Sequence, residues 1–274
     1  MPRPGSGPDF IESLARGLEV IAAFRPGSSS MSLSEVAAAT GLARPTARRI
    51  LLTLVELGYV RADGPRFALT ARVLDLGTAY VGSQGLWEVA RPHMEVLSAK
   101  TDESCSVAQL DGSDIVYVAR VAVPKIVALS VQIGTRFPAL QTSLGKVLLA
   151  ALDPDELEEA LAQPTRSGLT PLWQPDRAER DEVLREVRAR GWAVTDQQLA
   201  LGIRSVAAPI RDGHDRVIAA LNVNTHAAQT SVEYLLDHHL PLLLRAAGDI
   251  GADWARLDAL PRSGSGMIGS DRRP

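Results

Sequence analysis

Residues 41–60, GLARPTARRILLTLVELGYV, carry three arginines in front of a continuous apolar stripe. The spacing predicts an amphipathic helix that buries Ala47, Ile50, Leu51, Leu54 and Val55. Pro45 suits the first helical position because it lacks an N–H that would be left unpaired there, and Gly58 predicts the end of the helix. Arginines crowded at a helix N-terminus favour insertion into a DNA groove, since the first turn approaches the bases first.

Two further helices are predicted upstream of this basic helix. Residues 10–24, FIESLARGLEVIAAF, have helical periodicity. Ser32 and Glu35 have the spacing of a capping box, in which each side chain satisfies a backbone N–H at a helix start. Gly41 predicts a tight turn between this short helix and the basic helix, so the pair has the dimensions of a helix-turn-helix.

A hairpin is predicted downstream of the basic helix. Residues 59–70, YVRADGPRFALT, hold two β-prone runs around an Asp-Gly pair, and such a wing can reach phosphates with its arms. For an isolated helix a solvated basic turn is the alternative, but these neighbours favour a winged helix-turn-helix over residues 10–71 that binds a double-stranded DNA operator. The candidate DNA-binding residues are Arg44, Pro45, Thr46, Arg48, Arg49, Arg61 and Arg66.

Composition and charge favour two domains with different partners. The formal net charge is −3, with +2 on residues 1–85 and −5 on the remainder, which suggests that the N-terminal part meets nucleic acid. Cys105 is the only cysteine, so no disulfide within the chain is expected. The sequence has no signal peptide and no apolar run of the roughly 18 residues that a membrane helix needs, so we expect a cytoplasmic protein with no membrane partner. Residues 1–9 and 259–274 are rich in Gly, Pro and Ser and are expected to be disordered.

The remainder predicts a linker helix over residues 72–86 and a second domain over residues 87–258. Three β-prone runs come first, the third of them over residues 125–135, and helices occupy the middle of the domain. Three more β-prone runs then precede a long closing helix, with a kink expected near Pro241. This order indicates an α+β domain with an antiparallel sheet.

One helix start in this domain is a candidate anion site. Thr142 or Ser143 is expected to cap the helix that continues as LGKVLLAAL. The first N–H groups of that helix, at Ser143, Leu144 and Gly145, have no acceptor within it and would suit a carboxylate.

Two strands of the same domain add polar side chains. Asn222 and Asn224 lie two residues apart and share a face, so both amides need hydrogen-bond partners if that face is buried. Asp196 at the end of one strand and Ser205 in the next are placed to line the same hollow. Ordinary capping with solvent-facing polar residues is the alternative interpretation of all these positions.

Several motifs in this chain resemble those of one protein family, in the same order. They are SLARGLEVIAAF, RPTARRILLTLVELGYV, IGTRFPALQTSLGKVLLA, and GIRSVAAPIRD followed by VIAALNVNT. From about Phe10 to Leu257 the chain is similar to the IclR family of bacterial transcription regulators, and most similar to its β-ketoadipate pathway subgroup. The resemblance implies a winged helix-turn-helix, a dimerising linker helix and a GAF-like effector domain, in a homodimer or a dimer of dimers.

The resemblance also implies a binding pocket for a small carboxylic acid effector. Aromatic or dicarboxylic acids such as protocatechuate, 4-hydroxybenzoate or β-ketoadipate are the effectors it suggests. The candidate effector-binding residues are Thr142, Ser143, Leu144, Gly145, Asp196, Ser205, Asn222, Asn224 and Arg136. Arg136 either pairs with the acid or forms a surface or interdomain ion pair. The chain departs from the family at Pro45, where many relatives have serine, and near Gln198, where an acidic residue is commoner.

An enzyme is the competing class of function. Ser143 and Lys146 have the S-x-x-K spacing of penicillin-recognising enzymes, but the K-T-G triplet is missing, and the five histidines lack zinc-protease spacing. We therefore predict no catalytic residues, no metal and no cofactor. The sequence predicts a transcriptional regulator whose operator binding is modulated by a small acid. The alternative is a constitutive DNA-binding repressor whose C-terminal domain serves only for oligomerisation.

Overall fold

The computed structural model describes residues 9–25, 28–76, 85–125 and 131–258. It divides the chain into two compact units, Met1–Ser83 and Gln84–Pro274. Of the predicted linker helix, positions 73–76 are helical and positions 77–84 lie outside the described residues. The predicted disordered ends also lie outside them, except for Asp9.

Among its described residues, the N-terminal unit contains three helices and a small antiparallel sheet, followed by the helical positions 73–76. Its elements are α1 (Glu12–Ala23), β1 (Ser30–Ser32), α2 (Leu33–Thr40), α3 (Arg44–Glu56), β2 (Val60–Asp63) and β3 (Arg66–Leu69). The strands are ordered β1-β3-β2. The predicted hairpin is therefore present, and β1, which the sequence did not predict, ties it to the start of α2.

The turn between α2 and α3 follows from local residues. Ser32 Oγ accepts a hydrogen bond from the Glu35 N–H at 3.3 Å, and the Glu35 carboxylate accepts one from the Ser32 N–H at 2.6 Å, which completes the predicted capping box. Gly41 ends α2 with φ of 65°, a left-handed conformation that glycine adopts without strain. Val36 and Leu51 are fully buried in the core of this unit, so packing fixes the position of α3.

The C-terminal unit is an α+β domain with a six-stranded antiparallel sheet, as predicted. Its strands are β4 (Ser104–Asp111), β5 (Asp114–Val121), β6 (Arg136–Pro138), β7 (Ala193–Asp196), β8 (Ile203–Arg211) and β9 (Val217–His226). Its main helices are α4 (Leu86–Thr101), α5 (Ser143–Ala150), α6 (Pro154–Ala162), α7 (Arg177–Arg190) and α8 (Leu240–Asp258). The strands are ordered β6-β5-β4-β9-β8-β7, so β4 and β9 are central.

Two local predictions in this unit need adjustment. Of the strand predicted over residues 125–135, positions 126–130 lie outside the described residues, and positions 131–135 form a turn in which Gly134 has φ of 86°. The short strand β6 begins at Arg136, one residue after the end of the predicted run. The closing helix changes to a π-helical turn at Leu235–His239, directly before α8, because Pro241 has no N–H with which to continue the regular ladder.

The two faces of the sheet pack against different helices. One face packs against α4 and α8 through apolar side chains such as Cys105, Val206 and Leu221. On the other face, which we call the α5 face, Ala207 and Ala220 pack with side chains of α5 and α7. Within the described residues, no helix is long and apolar enough to cross a membrane, and no cluster of three or more His, Cys, Asp or Glu side chains is arranged to hold a metal ion.

Candidate functional site

Helix α3 presents a basic first turn to solvent. Arg44, Arg48 and Arg49 are exposed, whereas Ala47 and Leu51 are fully buried against the rest of the unit. None of these three arginines has an ion-pair partner among the described residues, and the first turn contains no acidic residue. The positive end of the helix dipole adds to this charge. This end of α3 can therefore contact phosphates and base edges without first breaking an internal ion pair.

The other candidate residues around α3 differ in exposure. Pro45 is exposed and occupies the second position of α3, one residue after the predicted first position, because the helix already begins at Arg44. Ala43, before the helix, is extended and provides no side-chain cap. Thr46 is half-buried and lies, with Arg49, on the border of a groove of about 940 Å³ between α1 and α3. The groove is mainly apolar and is lined by residues that include Leu14, Leu18, Ile21, Leu57 and Leu76.

The two predicted wing arginines are held differently. Arg61 on β2 is exposed and has no ion-pair partner in the described part of the chain. Arg66 on β3 donates to the Ser30 carbonyl and to Ser30 Oγ, and lies 3.5 Å from Glu35 Oε2. Hydrogen bonds from Ser32, and then Arg66, hold the pKa of the Glu35 carboxyl below its ordinary value. Arg66 therefore ties the wing to β1 and α2, while Arg61 is free to meet phosphate.

A buried polar cluster lies on the α5 face of the second unit. The Ser143 and Ser205 hydroxyls are 2.7 Å apart, and Ser205 Oγ is 2.9 Å from Thr195 Oγ1. All three side chains are at most 5% exposed. Because a buried hydroxyl needs partners, these contacts account for the polarity of the start of α5 and of strands β7 and β8.

The two asparagines extend this cluster across the sheet. Asn222 Oδ1 accepts a hydrogen bond from the Ser106 N–H at 3.1 Å, and Asn222 Nδ2 donates to Asn224 Oδ1 at 3.1 Å. The register pairs Asn222 with Ser106 and Asn224 with Ser205. The sequence therefore placed both amides on the correct common face, and much of the hydrogen-bonding capacity of Asn222 is already used inside the protein.

Arg120 is a further candidate site residue, which the sequence did not predict. Its Nη1 donates to Ser106 Oγ at 3.3 Å, which places the guanidinium on the α5 face beside Asn222. Partial burial lowers the pKa of Arg120, and no carboxylate within the described ranges forms an ion pair with it. A partly buried guanidinium without a counter-ion is suited to bind a carboxylate. We use the name polar cluster for Ser106, Arg120, Ser143, Thr195, Ser205, Asn222 and Asn224.

A β-bulge explains why Arg120 was missed. Ala108 pairs with Tyr117 while Val107 pairs with Ala119, so Val118 is an extra residue in β5. The extra residue reverses the alternation of side chains along the strand. Simple alternation from Tyr117, which is on the α5 face, would put Arg120 on the opposite face.

The start of α5 is capped by Thr142, one of the two predicted alternatives. Thr142 Oγ1 accepts a hydrogen bond from the Gly145 N–H at 2.9 Å, so that N–H is not available to an anion. This leaves the N–H groups of Ser143 and Leu144, at the first two helical positions, as the donors of the candidate anion site. A Cβ on Gly145 would lie 2.1 Å from the Ala139 carbonyl oxygen, so glycine is required there for close packing.

Two predicted effector residues are not brought to the polar cluster. Asp196 forms a bidentate ion pair with Arg204, at 3.0 and 2.9 Å, and Thr195 occupies the cluster position because adjacent residues of a strand face opposite ways. Arg136 forms an ion pair with Asp111. Its neighbour in the strand, Phe137, packs on the α5 face, so Arg136 points to the other side. For Arg136 the structure shows the ion-pair alternative.

The serine and the lysine of the S-x-x-K motif form no hydrogen bond with each other. Ser143 Oγ bonds to Ser205, whereas Lys146 Nζ donates to Gln198 Oε1 and lies over the Trp173 ring. The two side chains of the motif therefore engage different partners.

Comparison with known proteins agrees with both units. The IclR helix-turn-helix domain matches residues 13–64, and the bacterial transcriptional regulator IclR C-terminal domain matches residues 78–252. The Pca regulon regulatory protein of Pseudomonas putida is 39% identical over 89% of this chain and 84% of its own length. The p-hydroxybenzoate hydroxylase transcriptional activator of Acinetobacter baylyi is 34% identical over 88% of this chain and 91% of its own length.

A solved structure is similar over nearly the whole chain. It is the crystal structure of an IclR homologue from Microbacterium hydrocarbonoxydans in complex with 4-hydroxybenzoate, with a TM-score of 0.77 at 25% identity, covering 90% of this chain and all of that one. The fold and the sites thus define a DNA-binding transcriptional regulator with a winged helix-turn-helix and a C-terminal α+β domain. The chain belongs to the IclR family of bacterial transcriptional regulators, as its motifs indicated.

Proposed function

We propose that this regulator reads its operator with the first turn of α3 and with the β2 arm of the wing. Positive charge enters the DNA groove with Arg44, Arg48 and Arg49, and Arg61 contacts a phosphate beside that groove. Pro45 and Thr46 lie in the same turn, within reach of the sugar-phosphate backbone. Phosphate contacts fix the register of the protein on DNA, and contacts to base edges then read the sequence.

We also propose that a small carboxylic acid binds at the polar cluster and changes operator binding. The observation that carries this proposal is the guanidinium of Arg120, which is partly buried beside the hydroxyl and amide groups of Ser106 and Asn222 and has no carboxylate partner in the described part of the chain. An acid seated there would supply the missing negative charge. The N–H groups of Ser143 and Leu144 at the start of α5 provide a second set of donors for polar groups of the same molecule.

An aromatic acid fits the apolar surroundings of this cluster. Tyr117 and Phe137 lie on the α5 face with their rings 5.7 Å apart at an interplanar angle of 84°, and Leu144 belongs to the same apolar core. The similar structure from Microbacterium contains 4-hydroxybenzoate, and the relatives in Pseudomonas and Acinetobacter are named as regulators of the Pca regulon and of p-hydroxybenzoate hydroxylase. These similarities favour control of aromatic acid catabolism, in the cytoplasm and without an enzymatic activity.

A second copy of the chain is the proposed partner of the N-terminal unit. Leu14, Leu18 and Leu57 are each at least half exposed and line the apolar groove between α1 and α3. Exposed apolar surface of this kind marks an interface, and a homodimer presents two recognition helices to two half-sites. The domain limits that go with this proposal are residues 10–71 for DNA binding, 72–86 for the linker and 87–258 for the effector domain.

A ligand screen joined to a DNA-binding assay tests the acid proposal. The thermal stability of the full chain is measured with a panel of hydroxybenzoates, protocatechuate and short dicarboxylates, because a ligand that binds only the folded state raises its melting temperature. Each acid that stabilises the protein is then added to a gel-shift assay with the DNA upstream of the gene that encodes this protein. We expect at least one acid both to stabilise the protein and to change the midpoint of the DNA titration. Stabilisation with no change in DNA binding would contradict the proposed modulation.

A further inference from the structure

Lys146 is a buried ammonium that contacts two separate loops. It is 2% exposed and lies on α5, a helix whose residues are all buried. Its Nζ donates to Gln198 Oε1 and lies 4.4 Å from the centroid of the Trp173 ring. We call residues 163–176 the Trp173 loop and residues 197–202 the Gln198 loop. Lys146 is thus the point at which α5 holds both loops.

The two loops are also joined to each other by their backbones. The N–H groups of Leu172 and Trp173 both donate to the Gln198 carbonyl oxygen, each at 3.0 Å. The Trp173 indole N–H donates to Glu179 Oε1 at 3.1 Å, which ties its loop to the start of α7. Gln198 therefore receives backbone hydrogen bonds from one loop and a charged hydrogen bond from α5.

Both loops cover the α5 face of the sheet. Leu199 of the Gln198 loop is 7% exposed and belongs to the same apolar core as Leu144, Ala207 and Ala220. Leu169 of the Trp173 loop packs against this core. The two alanines share their strand face with Ser205 and Asn222, because they are two residues away in β8 and β9. The loops therefore lie over the layer that contains the polar cluster.

The ammonium is held without a carboxylate. In the described part of the chain no Asp or Glu forms an ion pair with Lys146, and the charged groups near it are Arg190 and Glu179, both on α7. Burial, and to a smaller extent Arg190, lower its pKa to about 8, while Glu179 acts in the opposite direction. The amide oxygen of Gln198 and the face of Trp173 are thus its main partners, and a cation–π contact of this kind is strongest when it is desolvated.

We propose that Lys146 is a latch, a positioning residue that holds the Trp173 and Gln198 loops closed over the polar cluster and so sets how fast an effector enters and leaves. The effector part of this inference rests on the function proposed above, whereas the loop part does not. The two residues of the S-x-x-K motif therefore have separate structural roles. Ser143 faces the sheet, and Lys146, one turn later, holds the loops.

The loop part can be tested without any ligand. Hydrogen exchange of the Leu172 and Trp173 amides is measured in the full chain for the wild type, Lys146→Met and Lys100→Met. Lys100 is an exposed lysine on α4 and provides the matched control. Because Lys146→Met removes a hydrogen bond to a charged group, exchange of both amides should be at least about tenfold faster in this variant. Unchanged exchange, or equal acceleration by Lys100→Met, would overturn the latch.

A second variant guards against a folding defect. Gln198→Ala removes the acceptor on the loop and leaves α5 intact, so it should accelerate exchange of the same two amides. If Lys146→Met does not fold, the exchange rates of the same two amides in Gln198→Ala decide whether Lys146 holds the loops. Protected amides in a well-folded Gln198→Ala would show that Lys146 does not hold the loop through this side chain.

The effector part is tested with 4-hydroxybenzoate as the probe, in stopped-flow experiments on the full chain. A latch variant should bind and release the acid faster, with both rate constants raised several-fold and Kd changed much less. A faster release with an unchanged association rate would mean that Lys146 contacts the acid, and the latch would be rejected. If wild-type protein binds no acid of the panel, the proposed function fails, while the exchange experiment still tests the loops.

Discussion

The arginines at the start of α3 and the nearly buried arginines of the C-terminal unit are used in opposite ways. In the N-terminal unit, Arg44, Arg48 and Arg49 are exposed and have no ion-pair partner among the described residues. In the C-terminal unit, arginines such as Arg180 and Arg204 are nearly buried and pair with carboxylates. The first arrangement leaves charge available for a large polyanion, and the second uses charge to hold the fold together. Arg120 is one of the arginines of the second unit that have no carboxylate partner among the described residues, and it differs from the others in lying beside the hydroxyl and amide groups of the polar cluster.

The largest effect is expected from removing the free arginines of α3. The double variant Arg48→Ala/Arg49→Ala should lower operator affinity by about 100-fold, since each interaction with a base or phosphate is worth about 1–3 kcal/mol. The dependence of log K on log salt should become shallower by roughly one unit for each phosphate that the variant no longer neutralises. The double variant Arg185→Ala/Arg216→Ala, at exposed positions of the C-terminal unit, also removes two positive charges and is the control. An equal reduction in affinity for the control would mean that only overall charge matters.

Replacing Arg120 should remove the response to the acid. Arg120→Met should weaken binding of the stabilising acid by at least about tenfold, because a guanidinium–carboxylate pair is a strong charge-assisted interaction. DNA binding without the acid should be unchanged, because Arg120 belongs to the C-terminal unit. Calorimetric titration of the acid measures the change in affinity, and Arg211→Met, an exposed position on the same sheet, is the control. Full affinity in Arg120→Met would remove this residue from the site.

Lys146 should give the protein an alkaline rise in stability. Its folded-state pKa of about 8 lies below the ordinary value of 10.5, so the unfolded chain binds more protons between these values and the free energy of unfolding rises with pH. The rise is on the order of 1–3 kcal/mol. Burial raises the pKa of Cys105 to about 12, which makes the free energy of unfolding fall as the pH rises. Because Cys105 is present in the wild type and in Lys146→Met, the difference in stability between the two proteins is the quantity to measure.

That difference is measured by urea denaturation at several pH values from 7 to 10. It should grow as the pH rises through 8, because only the wild type has the amine. A difference that stays constant with pH would show that Lys146 titrates normally in the folded protein.

Breaking a paired arginine should affect stability instead of binding. Asp196→Asn leaves the nearly buried Arg204 without its carboxylate and should lower the free energy of unfolding by about 1–2 kcal/mol, less than for a fully buried pair because Asp196 is partly exposed. Asp215→Asn removes the exposed partner of Arg211 and should change stability by less than about 0.5 kcal/mol. If Asp196→Asn abolished the response to the acid at unchanged stability, Asp196 would belong to the effector site.

The smallest effect separates the two arms of the wing. Arg61→Ala should reduce the salt dependence of operator binding and leave thermal stability unchanged, because Arg61 has no ion-pair partner in the described residues. Arg66→Ala should lower the melting temperature slightly, corresponding to about 0.5–1 kcal/mol, because its hydrogen bonds to Ser30 and its ion pair with Glu35 are exposed. The opposite pattern would show that Arg66, and not Arg61, is the phosphate contact.

The sequence predicted the architecture because its strongest signals are local. The capping box at Ser32 and Glu35, the turn at Gly41 and the apolar stripe of α3 each depend on a few neighbouring residues, and all three are present. The motif resemblance added the order of the domains. The helices, the strands and the antiparallel sheet follow from these patterns.

The details of the candidate site depended on features that the sequence does not display. A bulge at Val118 reverses the faces of β5 and brings Arg120 to the polar cluster, and no composition or spacing rule marks that residue. At the end of β7, Thr195 and not Asp196 faces the polar cluster, since neighbouring residues of a strand face opposite ways. The sequence pattern does not show which of the two adjacent residues faces inward. Arg66 looked like a free cation because its partners on β1 and α2 are distant in sequence. Side-chain direction, more than element type, limits such predictions.

One titration addresses the central claim directly. Operator DNA is titrated with wild type and with Arg120→Met, each with and without the acid that stabilises the wild type most. We expect the acid to shift the midpoint of the wild-type titration by several-fold and to leave that of Arg120→Met in place. When no acid is present, the two proteins should have equal midpoints. An acid that shifts neither protein, or shifts both equally, would contradict the claim that an acid bound beside Arg120 controls a reader of DNA.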